Sequence, residues 1–348
     1  MAHLILHIGT HKTASTTLQD TLAANRAALA RQGVVYPKIG QATGHHTLAT
    51  HWIDLPAIYH EPEPAAAHWQ GLAAHARDGA TVILSSEEFS RWKPQAVDFA
   101  EVRRFAAPFA RTTVVCFLRN QLGFIQSIYL QMAKRAPPNS FESLIAGALA
   151  GNHAAGMFLD YGQLHAHVAR GFPEAEILFL PYEAACRHPG GLVGCFLERV
   201  GLGALRVEAA PDANVSPDPL GLWVASHIAD PDAADAALIA RVEAALAASF
   251  PGRNRTDRRT TVFTPAEAAR LAAHFEPLNR AFEAACRQRH PDFALAPLDL
   301  GRTPIHRNEL GNGFWIQLIR TLDRPLPRRR RLWRRLVNRL RGGPRPWL

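Results

Sequence analysis

Leu4-Ile5-Leu6-His7-Ile8-Gly9-Thr10-His11-Lys12-Thr13-Ala14-Ser15-Thr16-Thr17-Leu18-Gln19 is the stretch on which the reading of the fold turns. Residues 4–8 are an apolar, strand-like run. A glycine, a lysine and a cluster of hydroxyls follow, and a helical pattern then spans 15–32 and closes at Gly33. A strand–loop–helix junction of this kind presents unpaired backbone N–H groups and the positive end of a helix dipole, which together cradle an anion. Lys12 adds a full charge, and Thr13, Ser15, Thr16 and Thr17 add short donors, so phosphate or sulfate is the fitting anion. An ordinary helix cap by Ser15 or Thr16 is the competing account of the same residues. The loop is not a Walker A sequence: His11 stands where a glycine must precede the lysine, and the four-residue spacer is missing.

Outward from this junction the same alternation repeats. Strand-like runs fall at 34–36, 81–84, 112–118 and 176–180, and helical patterns at 63–77 (with Pro64 in the first turn), 95–109 and 121–135. The strands are short, rich in Val, Ile and Leu, and scarcely alternate, as expected where helices cover both faces of a sheet. The expected fold is therefore α/β: a three-layer parallel sheet flanked by helices. From about Leu220 the pattern is mostly helical, with Ala-rich segments at 233–249 and 265–289. The expected organisation is one domain over 1–323 (core 4–217, helical extension 218–323) and, after the hinge Arg324-Pro325-Leu326-Pro327, a tail over 324–348.

The chain has 348 residues, 47% of them apolar, enough for a sizeable core and too apolar for a disordered protein. Its apolar runs fall short of the roughly 20 residues a membrane span requires, and no signal-peptide pattern precedes the first strand. Cys116, Cys186, Cys195 and Cys286 show no CxxC spacing and read as buried thiols in a reducing compartment. The formal charge of +9 is uneven: ten arginines and no acid lie in 324–348, leaving 29 basic against 30 acidic residues elsewhere. The basic character belongs to the tail, which argues against the body as a nucleic-acid binder. The 39 basic residues include only four lysines, and with abundant Ala and Pro this points to a GC-rich bacterial source; Lys12 is an uncommon choice in such a chain.

A second junction carries chemistry. The 112–118 strand ends in Arg119-Asn120, at the carboxyl edge where open α/β sheets bind ligands, and Ser127 lies about two turns into the next helix. Taken together, the run 7–19, the run Phe117-Leu118-Arg119-Asn120 through Ser127-Ile128-Tyr129, and the segment 177–183 followed by Pro189-Gly190-Gly191 resemble the sulfotransferases that use 3′-phosphoadenosine 5′-phosphosulfate (PAPS), especially the bacterial carbohydrate-type members. The resemblance covers roughly residues 4–217. It departs from the family pattern at Ala14, usually Gly, and at Gln121, often Pro, and neither departure removes a charged group.

The resemblance implies a P-loop-like sulfotransferase fold and in-line transfer of a sulfuryl group from PAPS to an acceptor hydroxyl or amine, leaving adenosine 3′,5′-bisphosphate (PAP). It implies that His11, Lys12, Thr13, Ala14, Ser15, Thr16 and Thr17 form the 5′-phosphosulfate loop, and that Arg119 and Ser127 hold the 3′-phosphate. Lys12 would hold the bridging oxygen. No metal is expected, because lysine and helix dipole supply the positive charge, and the 17 histidines show no ligand spacing. A general base is required. His45 and His46 follow the second strand, Glu87 and Glu88 follow the third, and relatives place a Glu or His after the second; the sequence leaves all four open. The acceptor is expected to be a glycan, a lipid-linked sugar or a small alcohol.

In the tail, Leu332, Trp333, Leu336, Val337 and Leu340 share one helical stripe among arginines over 328–341, a pattern that fits an anionic membrane surface. A nucleic-acid arm and a packing helix are its rivals. The expected location is cytoplasmic, peripheral to the inner membrane surface if the tail binds it. Two other readings of the chain are a P-loop-type nucleotide kinase, with 81–88 as its Walker B strand, and a non-enzymatic adaptor acting through the basic tail.

Overall fold

The structure, a computed structural model, describes residues 1–134, 140–208, 217–250, 260–300 and 304–323. The arginine-rich tail over 324–348 and its expected helix at 328–341 lie outside the described residues.

In chain order the elements are β1 (His3–His7), α1 (Ser15–Ala24), α2 (Arg26–Ala30), β2 (Val34–Val35), α3 (His46–Ala49), α4 (Ala65–Gly71), α5 (Ala73–Arg77), β3 (Thr81–Ser85), α6 (Phe99–Ala106) and β4 (Arg111–Leu118). There follow α7 (Gln121–Ala133), α8 (Phe141–Gly151), β5 (His153–Ala154), β6 (Met157–Phe158), α9 (Tyr161–Val168), β7 (Ile177–Pro181), α10 (Tyr182–Ala185) and α11 (Gly191–Arg199). The remainder is α12 (Pro219–Ala229), α13 (Ala236–Ser249), β8 (Thr260–Thr261), α14 (Pro265–Arg287), β9 (Ile305–His306) and α15 (Asn312–Asp323).

The expected parallel α/β sheet is present: five strands in the order β2-β3-β1-β4-β7, every pairing parallel. Both faces are buried. Leu4, Leu6, Val82, Leu84, Val114 and Cys116 enter one apolar cluster, while Ile5, Ile83, Val115 and Phe117 enter the other. That is why the strand sequences scarcely alternate. The central strand β1 lies between β3 and β4, and His7 stands in register with Ser85 and Val115. The chain segments that leave β1, β3 and β4 therefore share one edge of the sheet, where the order of the strands reverses.

The chain forms two compact units. The first contains the sheet, α1 to α11 and α14, whose Phe282 joins the apolar cluster of Val114 and Cys116. The second contains α12, α13, α15 and the short parallel pair of β8 with β9; α13 packs against both α12 and α15.

Several helices differ from the pattern expected of the sequence. The helix over 15–32 is two helices, broken at Asn25, whose side chain donates to the carbonyls of Thr21 and Glu208 and competes with the helical ladder. The helix over 63–77 starts only after Pro64 and is interrupted at Leu72. The helix expected from 95 starts at Phe99, because Asp98 accepts from the backbone N–H groups of Ala100 and Glu101 and caps it there. All four cysteines are free, but only Cys116 is fully buried and Cys186 is exposed, a correction to their reading as uniformly buried thiols.

Candidate functional site

The loop after β1 is fastened to its neighbours before it reaches α1. Thr10 donates through its backbone N–H and its Oγ1 to the carbonyl of Phe117, at 2.9 and 3.1 Å. Thr13 Oγ1 and Ser15 Oγ both donate back to the carbonyl of Thr10, so two of the expected ligand hydroxyls also hold the loop's shape. Gly9 has φ +89, and a Cβ there would lie 2.8 Å from Glu87 Cβ. Only glycine allows the loop to press so closely against the segment after β3.

Lys12 and Ala14 are left-handed, with φ 61 and 57. Ala14 is the position where the resembling family has glycine, and its backbone conformation is the one glycine favours. It is the N-cap of α1, has no side-chain hydrogen bond to the first turn, and is followed by no acidic residue in that turn. The first-turn N–H groups of Ser15, Thr16 and Thr17 thus lack a side-chain cap, and a capping role for Ser15 or Thr16 is not what the structure contains. Thr16 is exposed and Thr17 half-buried.

β4 and α7 supply the second cation. Arg119 donates from Nη1 to the carbonyl of Lys12 at 3.0 Å and lies 5.4 Å from the centre of the Tyr182 ring. Its own carbonyl accepts from the buried Tyr161 hydroxyl. A Cβ at Gly123 would stand 3.2 Å from Arg119 Nε, so this glycine leaves room for the guanidinium. Asn120 caps α7 through Oδ1 to the Gly123 N–H, at 2.8 Å, while its N–H and Nδ2 both donate to Glu183 Oε1. Lys12 Nζ donates to Gln131 Oε1 at 3.1 Å. Gly123, Ser127 and Gln131 follow at intervals of four along α7, so half-buried Ser127 sits on the helix face between the contacts of Arg119 and Lys12.

The third wall is the segment after β3, with α3. Ser85 organises it. Its Oγ shares a 2.7 Å hydrogen bond with His7 Nδ1 and accepts from Gln19 Nε2, which also donates to Glu87 Oε2 at 2.9 Å. The backbone N–H of Ser85 donates to His45 Nδ1 at 3.0 Å, and His45 Nε2 then donates to the carbonyl of Pro37 at 2.9 Å. Both nitrogens of His45 are committed to backbone groups. Burial holds its pKa down to about 4, although its backbone contact with Pro37 pulls the other way. In the structure His45 is a strut between β3 and the loop after β2.

His46 differs. It shares one hydrogen bond, Nδ1 with Ser86 Oγ at 2.9 Å, and its ring lies 4.6 Å from that of Tyr59. Glu88 accepts from Arg91 Nε at 2.7 Å, and the same oxygen is 3.8 Å from His11 Nε2. Burial lowers the pKa of His11, against the opposing pull of Glu88 and Glu87. Glu87 is the reverse case: burial would raise its pKa, but His11, His46, a backbone hydrogen bond and Gln19 together bring it below the ordinary carboxylate value. Glu87 is thus kept ionised beside two histidines.

The candidate site residues read from the sequence, 11–17, His45, His46, Glu87, Glu88, Arg119 and Ser127, lie at one edge of the sheet, around the loop after β1. Arg91, Gln131 and Tyr161 are added by the structure, while Gln19, Gly123 and Glu183 lay within the resembling runs without a role of their own. Only the helical spacing of Gln131 from Ser127 hinted at one of the added three.

No family model matches the chain, and no curated protein matches it. Among solved structures, the crystal structure of a sulfotransferase from Alicyclobacillus acidocaldarius is similar to 73% of this chain and 98% of its own, with a TM-score of 0.39 at 14% identity.

Proposed function

We propose that this protein is a PAPS-dependent sulfotransferase whose acceptor is a hydroxyl or amine on a glycan, a lipid-linked sugar or a small alcohol. The observation that carries the reading is the meeting of an α1 N-terminus without a side-chain cap, Lys12 and Arg119 at one sheet edge, with Arg119 bonded to the backbone of Lys12. Two cations from separate segments, joined through the Lys12 carbonyl, match a ligand with two separate anionic groups. The donor supplies an activated sulfuryl group on a nucleotide leaving group.

The chain's own residues do the rest. The N–H groups of Ser15, Thr16 and Thr17, with the loop hydroxyls, bind the 5′ end. Arg119 and Ser127 bind the 3′-phosphate. Lys12 exchanges its contact with Gln131 for the oxygen on which charge develops as the sulfur–oxygen bond breaks. The acceptor oxygen forms the new bond to sulfur and gives up its proton. His46 takes that proton at Nε2, with Nδ1–H donating to Ser86 Oγ and the ionised Glu87 nearby to balance the imidazolium. Glu88, engaged by Arg91, orients the donor loop through His11.

The test is thermal unfolding with PAP and with ATP, followed by sulfuryl transfer from PAPS to candidate acceptors. PAP at a hundredfold its dissociation constant should stabilise by about 2.7 kcal/mol. Stabilisation by ATP with indifference to PAP would replace this reading with that of a nucleotide kinase.

A further inference from the structure

α15 has an apolar face on each side. Phe314 and Leu318 are buried, and α15 packs on α13, whose Arg241 donates from Nη1 to the carbonyl of Leu322 at 3.0 Å. Away from these, Trp315, Ile316 and Ile319 are 41%, 49% and 66% exposed. Ile316 and Trp315 lie three and four residues before Ile319, so both flank it on one stripe along the helix. Single exposed hydrophobics are ordinary on a protein surface. Here, three of the six large hydrophobics exposed among the described residues share one helix, and such clustering marks an interaction surface. The indole of Trp315 is fixed, since Nε1 donates to the carbonyl of Leu310 at 3.0 Å. Its polar atom is satisfied while the ring stays partly in water.

Arg320 adjoins this stripe, and α15 ends at Asp323. The 25 residues that come next in sequence, 324–348, hold ten arginines and no acid. We propose that the Trp315–Ile316–Ile319 face of α15 docks on an anionic bilayer surface, with the three side chains in the interface and the adjoining arginines on the headgroups. The inference is independent of the sulfuryl-transfer reading.

Charge and chemistry together select the bilayer. A symmetric contact between two copies through this face would bring together two helices that each continue in sequence into ten arginines without an acid, and like charge opposes it. A nucleic acid would reward the arginines but leave Ile316 and Ile319 in water. A bilayer interface rewards both: apolar side chains enter at the headgroup level, where tryptophan is also favoured, and cations gain from the negative surface potential. No helix among the described residues is long and apolar enough to cross a membrane, so the contact is with the surface.

The test is co-sedimentation of the full chain with phosphatidylcholine vesicles and with mixed phosphatidylcholine–phosphatidylglycerol vesicles, at low and high salt. The wild-type chain should bind the anionic vesicles, bind the zwitterionic ones far less, and dissociate as salt rises. Ile316→Ser with Ile319→Ser should weaken partitioning by about tenfold or more at low salt with unchanged melting. Ile319→Ser alone, at the most exposed of the three positions, serves if the double variant does not fold. Undiminished partitioning of these variants would overturn the proposal, because the arginines alone would then suffice. So would a wild-type chain that ignores anionic vesicles, whether it is monomeric or forms a dimer that the double variant breaks.

Discussion

His45→Ala and His46→Ala differ by one position and should behave as different kinds of variant. His45 is 1% exposed, and its ring bridges the Ser85 N–H and the Pro37 carbonyl. Removing it cancels two hydrogen bonds, each contributing about 1 kcal/mol net, and strands the buried Ser85 N–H and the half-buried Pro37 carbonyl. It also loses an edge-on contact with Tyr36 at 4.6 Å, of the kind that contributes about 0.5–1.5 kcal/mol. The sum is about 3 kcal/mol before any cavity term. At about 2–4 °C per kcal/mol for a unit of this size, the melting temperature should fall by about 6–12 °C. Turnover by the molecules still folded should change little. His46→Ala gives up one hydrogen bond and the Tyr59 ring contact, about 2 kcal/mol by the same count and a fall of about 4–8 °C, yet should lose about 10²–10⁴-fold in turnover, with PAP binding retained. Differential scanning calorimetry and a transfer assay with labelled PAPS give both readouts. A His45→Ala protein that melts normally and is inactive would refute the assignment of strut and base, and so would a fully active His46→Ala protein.

Burial holds His7 and His45 each down to about 4, against an ordinary value of 6.5, so both are uncharged in the folded chain at neutral pH. Between those values the unfolded chain takes up protons that the folded chain does not. Stability should therefore fall as pH drops from 6.5 toward about 4, and these groups should add no slope above that window; a melting temperature unchanged from pH 7 to pH 5 would count against it. Arg119→Lys should weaken PAP by about 2–3 kcal/mol but adenosine 5′-phosphosulfate, which lacks the 3′-phosphate, by only about 1 kcal/mol for the lost bond to Lys12, as read by titration calorimetry; equal losses would show that Arg119 does not read that phosphate. Ser127→Ala should act in the same direction by about 1 kcal/mol, and Lys12→Ala should lower turnover more than affinity. Gly9→Ala, whose Cβ would meet Glu87 at 2.8 Å, should cost more stability than Gly33→Ala, which is also left-handed but has nothing within 4 Å; equal costs in denaturant titrations would mean that the loop does not depend on that close approach.

The five strands were legible because each is a short Val/Ile/Leu run buried on both faces, and that burial leaves its mark on every residue of the run. The strand–loop–helix junction after β1 was legible for a local reason too: a strand that meets a helix across a loop bearing Lys12 exposes N–H groups wherever the sheet lies. Helix lengths were less so. Asn25 breaks a helix by reaching Glu208, 183 residues away, and propensity carries no trace of such a partner. The same limit governs the site. His45 and His46 are adjacent, and nothing local distinguishes them. Tertiary structure does, because the register of β3 brings the N–H of Ser85 to one ring and leaves the other with a side-chain hydrogen bond to Ser86. Arg119 could be placed at a strand end from the sequence, but its bond to the Lys12 carbonyl, 107 residues earlier, exists only because β4 lies beside β1. Sequence alone determined which groups could carry charge at the sheet edge, since that follows from residue type and local periodicity. Which of them meet, and which are consumed as struts, is decided by the order and register of the strands, set by burying apolar surface across the whole chain.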